Sequence, residues 1–221
     1  MRKNILIALS VIILFLVSCD NEHIDDYDQY HTELNGVMRD EPESEESSYS
    51  LVDYEAYENL EFMNIELLDF REALEIFGEG IEADVLDIET GITYRVRRVI
   101  GGYNTLADVE TMTLEDTNRL LETAGGEWNV RRRAVIVTIE GRHIAASIAP
   151  FPHSGSEDYP FGMIIDNRSG ATGTGINLDS IRGNEMIGVV DIFFFNSMIP
   201  GINRVDERHQ EMVLMAYDFE G

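Results

Sequence analysis

The chain has 221 residues, of which 42 are Asp or Glu and 16 are Lys or Arg, giving a formal net charge of −26. A surface this acidic excludes nucleic acid as a partner, because phosphate binding needs a positive face. It also excludes electrostatic adhesion to anionic lipid. Cys19 is the only cysteine and Lys3 the only lysine, so no disulfide within the chain staples the fold, and past Lys3 every Lys/Arg-type charge is an arginine whose planar fork suits a carboxylate.

At the start of the chain, Arg2 and Lys3 precede an apolar run, Ile5 to Val17, broken only by Ser10. That pattern predicts a secretory signal, too short for a membrane span. The run ends in Leu16-Val17-Ser18-Cys19. A small residue before a cysteine at this place resembles the bacterial lipobox. The resemblance implies removal of residues 1–18, lipidation of Cys19 and anchoring at the cell membrane or outer membrane, outside the cytoplasm. Each buried acyl methylene contributes about 0.8 kcal/mol, so two or three chains anchor stably. A lipidated Cys19 leaves no free thiol for catalysis.

Residues 19–61 read as an acidic, disordered tether. Residues 20–61 hold 15 acidic residues against one basic residue, Arg39, and such density self-repels. The stretch Glu41 to Ser48 has no hydrophobic residue. Tyr27, Tyr30, Tyr49, Tyr54 and Tyr57 leave room for a weak docking segment.

A globular domain is expected over 62–221. Asn64 to Phe77 reads as a helix capped by Asn64, with Leu67, Phe70, Leu74 and Phe77 on one face. Ala83–Ile88 and Ile92–Val99 flank a Gly91 turn and read as a hairpin. Arg95 and Arg97 share the face of its second strand opposite Tyr94 and Val96. Thr113 opens a second helix, running to about Thr123, with Leu114, Leu120 and Leu121 as its apolar side. Arg133–Ile139 and His143–Ile148 read as a second hairpin. Val189–Phe195 reads as a strand buried on both faces. Asp206 is a natural N-cap for a last helix ending at Tyr217. Between these, 149–187 is a long glycine-rich connection of little periodicity, a length that marks function or disorder. Its Gly173-Thr174-Gly175 is no phosphate loop, lacking the Gly-Lys-Ser/Thr that would follow. The fold class expected is α+β, a mostly antiparallel sheet with about three helices.

Five pieces of sequence, in order, carry a resemblance. They are Asp87-Ile88-Glu89-Thr90-Gly91-Ile92-Thr93-Tyr94-Arg95-Val96, Ala107-Asp108-Val109-Glu110, Trp128 to Val137, Pro152-His153, and Asn203-Arg204-Val205-Asp206 with His209-Gln210. Together they resemble the C-terminal module of clostridial cell-wall proteins, which often follows peptidoglycan-binding repeats. The resemblance spans roughly 64–217. Members of that family place a histidine before the Ala-Asp-Val-Glu piece, a Cys-x-His pair in the last strand and a His-Gly soon after. Here Leu106, Asp191, Phe193 and Pro200 stand at those places. Asp108, Glu110, His153, Asp206 and His209 remain.

These residues frame the functional expectations. The first is a non-catalytic envelope-binding or structural lipoprotein, contacting peptidoglycan through Arg95, Arg97, Arg131 and Arg132 and the 149–187 loop. The alternative is a zinc-assisted peptidoglycan hydrolase, peptidase or amidase, with Asp108, Glu110 and His153 as ligands and Glu110 as general base. A third class, docking on another envelope protein, predicts a sizeable apolar patch.

Overall fold

The computed structural model describes residues 64–99, 105–170, 173–199 and 202–219. The signal at 1–18, Cys19, the tether over 19–61 and Pro200 lie outside those residues. In chain order the elements are β1 (Ile65–Glu66), α1 (Phe70–Ile76), β2 (Glu82–Asp87), β3 (Thr93–Arg98), β4 (Ala107–Thr111), α2 (Leu114–Thr123), β5 (Arg133–Ile139), β6 (Arg142–Ser154), β7 (Ile164–Ile165), β8 (Gly175–Ile176), β9 (Gly188–Phe193), β10 (Met198–Ile199), β11 (Arg204–Val205) and α3 (Glu207–Tyr217).

Period-two alternation sets the sheet. Val85 faces Tyr94 on β3 and Val137 on β5, while Val109 on β4 faces Val190 on β9. β6 is long enough to pair twice. Its first half runs antiparallel to β5, and its second half runs antiparallel to β9, with Ile148 opposite Ile192. The order β6-β5-β2-β3-β4-β9 therefore returns to β6 and closes a barrel of six antiparallel strands, with β1 added parallel on β6. Closure leaves these strands few free edges. The fold is α+β, mostly antiparallel, with three helices among the described residues.

Inward-facing side chains fill the barrel: Tyr94, Val96, Val109, Val137, Ile144 and Ile192 are all buried in one core. α1 adds Phe70, Ala73 and Phe77 to that core. Its C-terminal carbonyls are capped from the sheet, since the buried Arg98 donates to Leu74 O at 3.1 Å and to Phe77 O. α3 lies outside the barrel, with Val213 and Ala216 against Ala134 and Ala145. A buried pair sits at the turn between β2 and β3. Arg133 grips Asp87 with two guanidinium nitrogens, Nη2 to Oδ1 at 2.7 Å, and Asp87 Oδ1 also accepts from Thr90 N and Oγ1. One carboxylate thus ties β5 to the hairpin turn.

Several expectations are corrected. The first helix is shorter than 64–77: Ile65–Glu66 pairs with His143 and Ile144 of β6, and Asp69, not Asn64, caps the helix. In α2, Leu114 is exposed, and the buried face is Asp116, Thr117, Leu120 and Thr123. The second hairpin strand does not stop at Ile148 but continues to Ser154 through Pro150 and Pro152. The prolines fit because the β6–β9 register shifts between Ala149 and His153, a bulge that requires no ladder N–H there. The 149–187 region is therefore partly strand, and its remainder carries the small β7–β8 hairpin. Both helix caps at Thr113 and Asp206 are as expected.

Candidate functional site

Two places on the barrel gather chemistry. The first is its outer wall at the closing seam. Asp108 of β4 and Asp191 of β9 occupy directly opposed positions, and both are buried. Their neighbours Val109 and Val190 point inward, so the aspartates point out of the barrel. His153 comes from the end of β6 and places Nε2 at 3.1 Å from Asp191 Oδ1. Its Nδ1 lies 2.9 Å from Ser154 Oγ. Glycines make this approach possible. A Cβ on Gly188, whose φ is +101°, would meet His153 O at 2.0 Å, and one on Gly155 would meet Gly188 Cα at 2.2 Å. The backbone on either side of His153 is thus locked against β9.

Glu110, on the same outer face of β4, is held elsewhere. Its carboxylate accepts from Ser180 N at 3.0 Å, Ser180 Oγ at 2.6 Å, Ile181 N at 2.9 Å and Asn184 Nδ2 at 3.2 Å. Burial raises its pKa, outweighing these hydrogen bonds. With both oxygens engaged by the 180–184 segment, Glu110 is an anchor for that segment and does not converge with His153. Among the described residues, no three His, Cys, Asp or Glu side chains come together to hold a metal ion. The trio Asp108, Glu110 and His153 is therefore not one ligand set in this geometry.

The four arginines singled out by the sequence do not form one face. Arg97 pairs with Glu82 at one end of β2, whereas Arg131 and Arg132 precede β5, whose Val135 pairs with Asp87 at the other end. Arg95 sits against Glu82 and Asp84, and Arg97 donates to Ser180 Oγ at 3.2 Å. Arg132 keeps only 9% of its side chain exposed and donates to Asp206 Oδ2 at 2.8 Å. It therefore serves the cap of α3. Arg131 keeps 64% of its side chain exposed, with Nη2 at 3.0 Å from each oxygen of Glu89.

Arg131 opens onto the second place, a groove of ≈ 1030 Å³ between α3 and the turn after β2. Ile88, Ala134, Met212, Met215 and Phe219 give it apolar walls, and Arg131, Arg132 and Arg208 stand among them with Glu89, Glu211 and Asp218. The sequence reading missed Arg208, Met212 and Met215 as groove residues. Their signal was present: 208, 212 and 215 follow one stripe of α3, beside the stripe of Val213 and Ala216 that faces the barrel, and Phe219 lies just past the helix end. His209 is also structural here. Its ring stacks on Phe193 with centroids 3.7 Å apart, and its Nδ1 lies 2.9 Å from Ser147 Oγ. No protein-family model, curated protein or solved structure matches this chain.

Proposed function

We propose that the chain is an exported bacterial lipoprotein, anchored through lipidated Cys19 at the cell or outer membrane, whose barrel binds an envelope component without catalysing a reaction. The observation that carries the binding role is the groove along α3. It sets an exposed guanidinium, Arg131, beside the thioethers of Met212 and Met215. A carboxylate-bearing peptide, such as a peptidoglycan stem, would exchange with Glu89 on Arg131 and lay its aliphatic part on the methionines. The non-catalytic part leans on the resemblance to clostridial cell-wall modules. Asp191 stands where that family places a cysteine, and in this chain it touches His153. A carboxylate there cannot act as a thiolate nucleophile.

The test is co-sedimentation of the protein with purified peptidoglycan, with and without zinc, followed by chromatography of the supernatant. Binding that weakens about tenfold in Arg131→Glu, with no released fragments, supports the reading. Absence of binding sinks it. A second reading, a zinc-assisted peptidoglycan hydrolase, draws on the contact of His153 with Asp191, a pair of candidate ligands short of a set of three among the described residues. Fragments that vanish in His153→Ala would favour it.

A further inference from the structure

Residues 157–164, Glu-Asp-Tyr-Pro-Phe-Gly-Met-Ile, are exposed without interruption. Among them Tyr159 and Phe161 are each 44% exposed, Met163 48% and Ile164 68%. Four large apolar side chains on one turn need an explanation, because contiguous apolar surface of this kind marks an interaction site. The turn is also rigidly built. Asn177, fully buried, donates through Nδ2 to Ser156 O at 2.9 Å, Tyr159 O at 2.8 Å and Pro160 O at 3.3 Å. The Arg182 guanidinium donates to Ser156 O and Tyr159 O. Met163 N donates to Pro160 O at 3.2 Å and Gly162 takes φ +80°, which closes a turn of type II. Ile164 pairs with Ile176 behind it. The side chains are therefore held outward on a preorganised projection, which lowers the entropic cost of contact.

We propose that residues 157–164 are an apolar finger that docks into the interface of the bilayer to which the chain is tethered. The inference rests on the anchoring read from Cys19. The occupant follows from three observations. A convex tip with aromatic and aliphatic side chains enters a bilayer interface without needing a complementary groove, and Tyr and Phe suit the headgroup level. Glu157 and Asp158 at its base and the net charge of −26 favour a zwitterionic lipid surface over an anionic one. The reach also fits. β1 joins the barrel beside His143 and the finger leaves beyond Ser154, at most roughly 35 Å apart along one strand. The chain from Cys19 to Asn64, about 44 residues, spans up to roughly 150 Å when extended. A barrel standing finger-down is therefore within the tether's range.

The test uses the full mature chain in phosphatidylcholine vesicles. Trp128→Phe removes the one native tryptophan, and Phe161→Trp puts an indole on the exposed tip. Blue-shifted emission, quenched at least twofold by lipids brominated on the acyl chains and lost when Ile164→Asp is added, supports the finger. Emission and quenching equal to those of the protein in buffer overturn it, and leave a protein partner as the occupant. The intact mass of the same sample reports acyl groups on Cys19. An acylated chain without quenching sinks the finger alone. A chain without acyl groups withdraws the anchor, and added vesicles then quench the indole or fail to, with the same two meanings.

Discussion

His153 and Asp191 meet across the seam where the barrel closes, Nε2 to Oδ1 at 3.1 Å, with both side chains buried. The backbone ladder is interrupted along this seam, because the β6–β9 register shifts between Ala149 and His153. A side-chain contact bridges the gap that the ladder leaves. Removing the imidazole by His153→Ala should cost about 3 kcal/mol, since a buried carboxylate loses a neighbouring donor. Urea unfolding checks this, and a loss below about 0.5 kcal/mol would count against the contact as a structural tie.

Glycine-to-alanine changes should separate clash from conformation. Gly188→Ala meets His153 O at 2.0 Å and sits at φ +101°, whereas Gly126→Ala at φ +88° meets nothing within 4 Å. The second pays only for the left-handed backbone, about 1–2 kcal/mol. The first adds a clash with backbone and should cost at least about 3 kcal/mol. Equal melting temperatures for the two variants would contradict the close crossing of β9 and β6.

Glu110→Ala should act locally before it acts globally. The change leaves Ser180 N, Ile181 N and Asn184 Nδ2 without the carboxylate they share. The expected loss is about 3 kcal/mol. Hydrogen exchange should speed up first at residues 180–184, ahead of β4 itself. Unchanged protection at Ser180 and Ile181 would rule out Glu110 as the anchor.

Asp206 carries a pH signature. Burial alone would raise its carboxyl, but the nearby His209 charge and the bond from Arg132 hold it below its ordinary 3.8. A carboxyl depressed in the fold contributes stability that is present above the unfolded value and lost as pH falls through the folded one. Asp206→Asn should therefore cost about 1–2 kcal/mol near neutrality. The gap to the parent protein should narrow as pH drops below 3.8. Melting curves across that range decide it, and a gap that widens in acid would reverse the assignment.

The parts of the fold legible in the sequence are those with strong alternation or explicit caps. Tyr94 and Val96 against Arg95 and Arg97 gave the β3 faces, and Asp206 marked the start of α3. Ile65 to Phe70 misled because its apolar spacing suits helix and strand alike, and the free edge of β6 decided between them. Pro150 and Pro152 looked like strand breakers, yet a bulge absorbs them. Closure itself had no local mark, since it depends on one strand pairing on both sides at different heights. The site was legible in pieces. Asp108, Glu110 and His153 were singled out as one alternative set, but the contact of His153 with Asp191 and the place of Asp108 opposite Asp191 are set by register, and Glu110 was claimed by a segment 70 residues away.

The short β1 gives the domain a mechanical character. Any pull arriving through residue 64 loads two residue pairs with β6 and the Glu66–Arg142 salt bridge. Beyond them the chain is pinned again at Asp69 and Phe70, where Phe70 N donates to Phe195 O at 2.8 Å and the Phe70 ring enters the core. β1 is therefore a fuse. Under tension it peels and releases roughly 15 Å of slack, before the pairings among the six closed strands need to part.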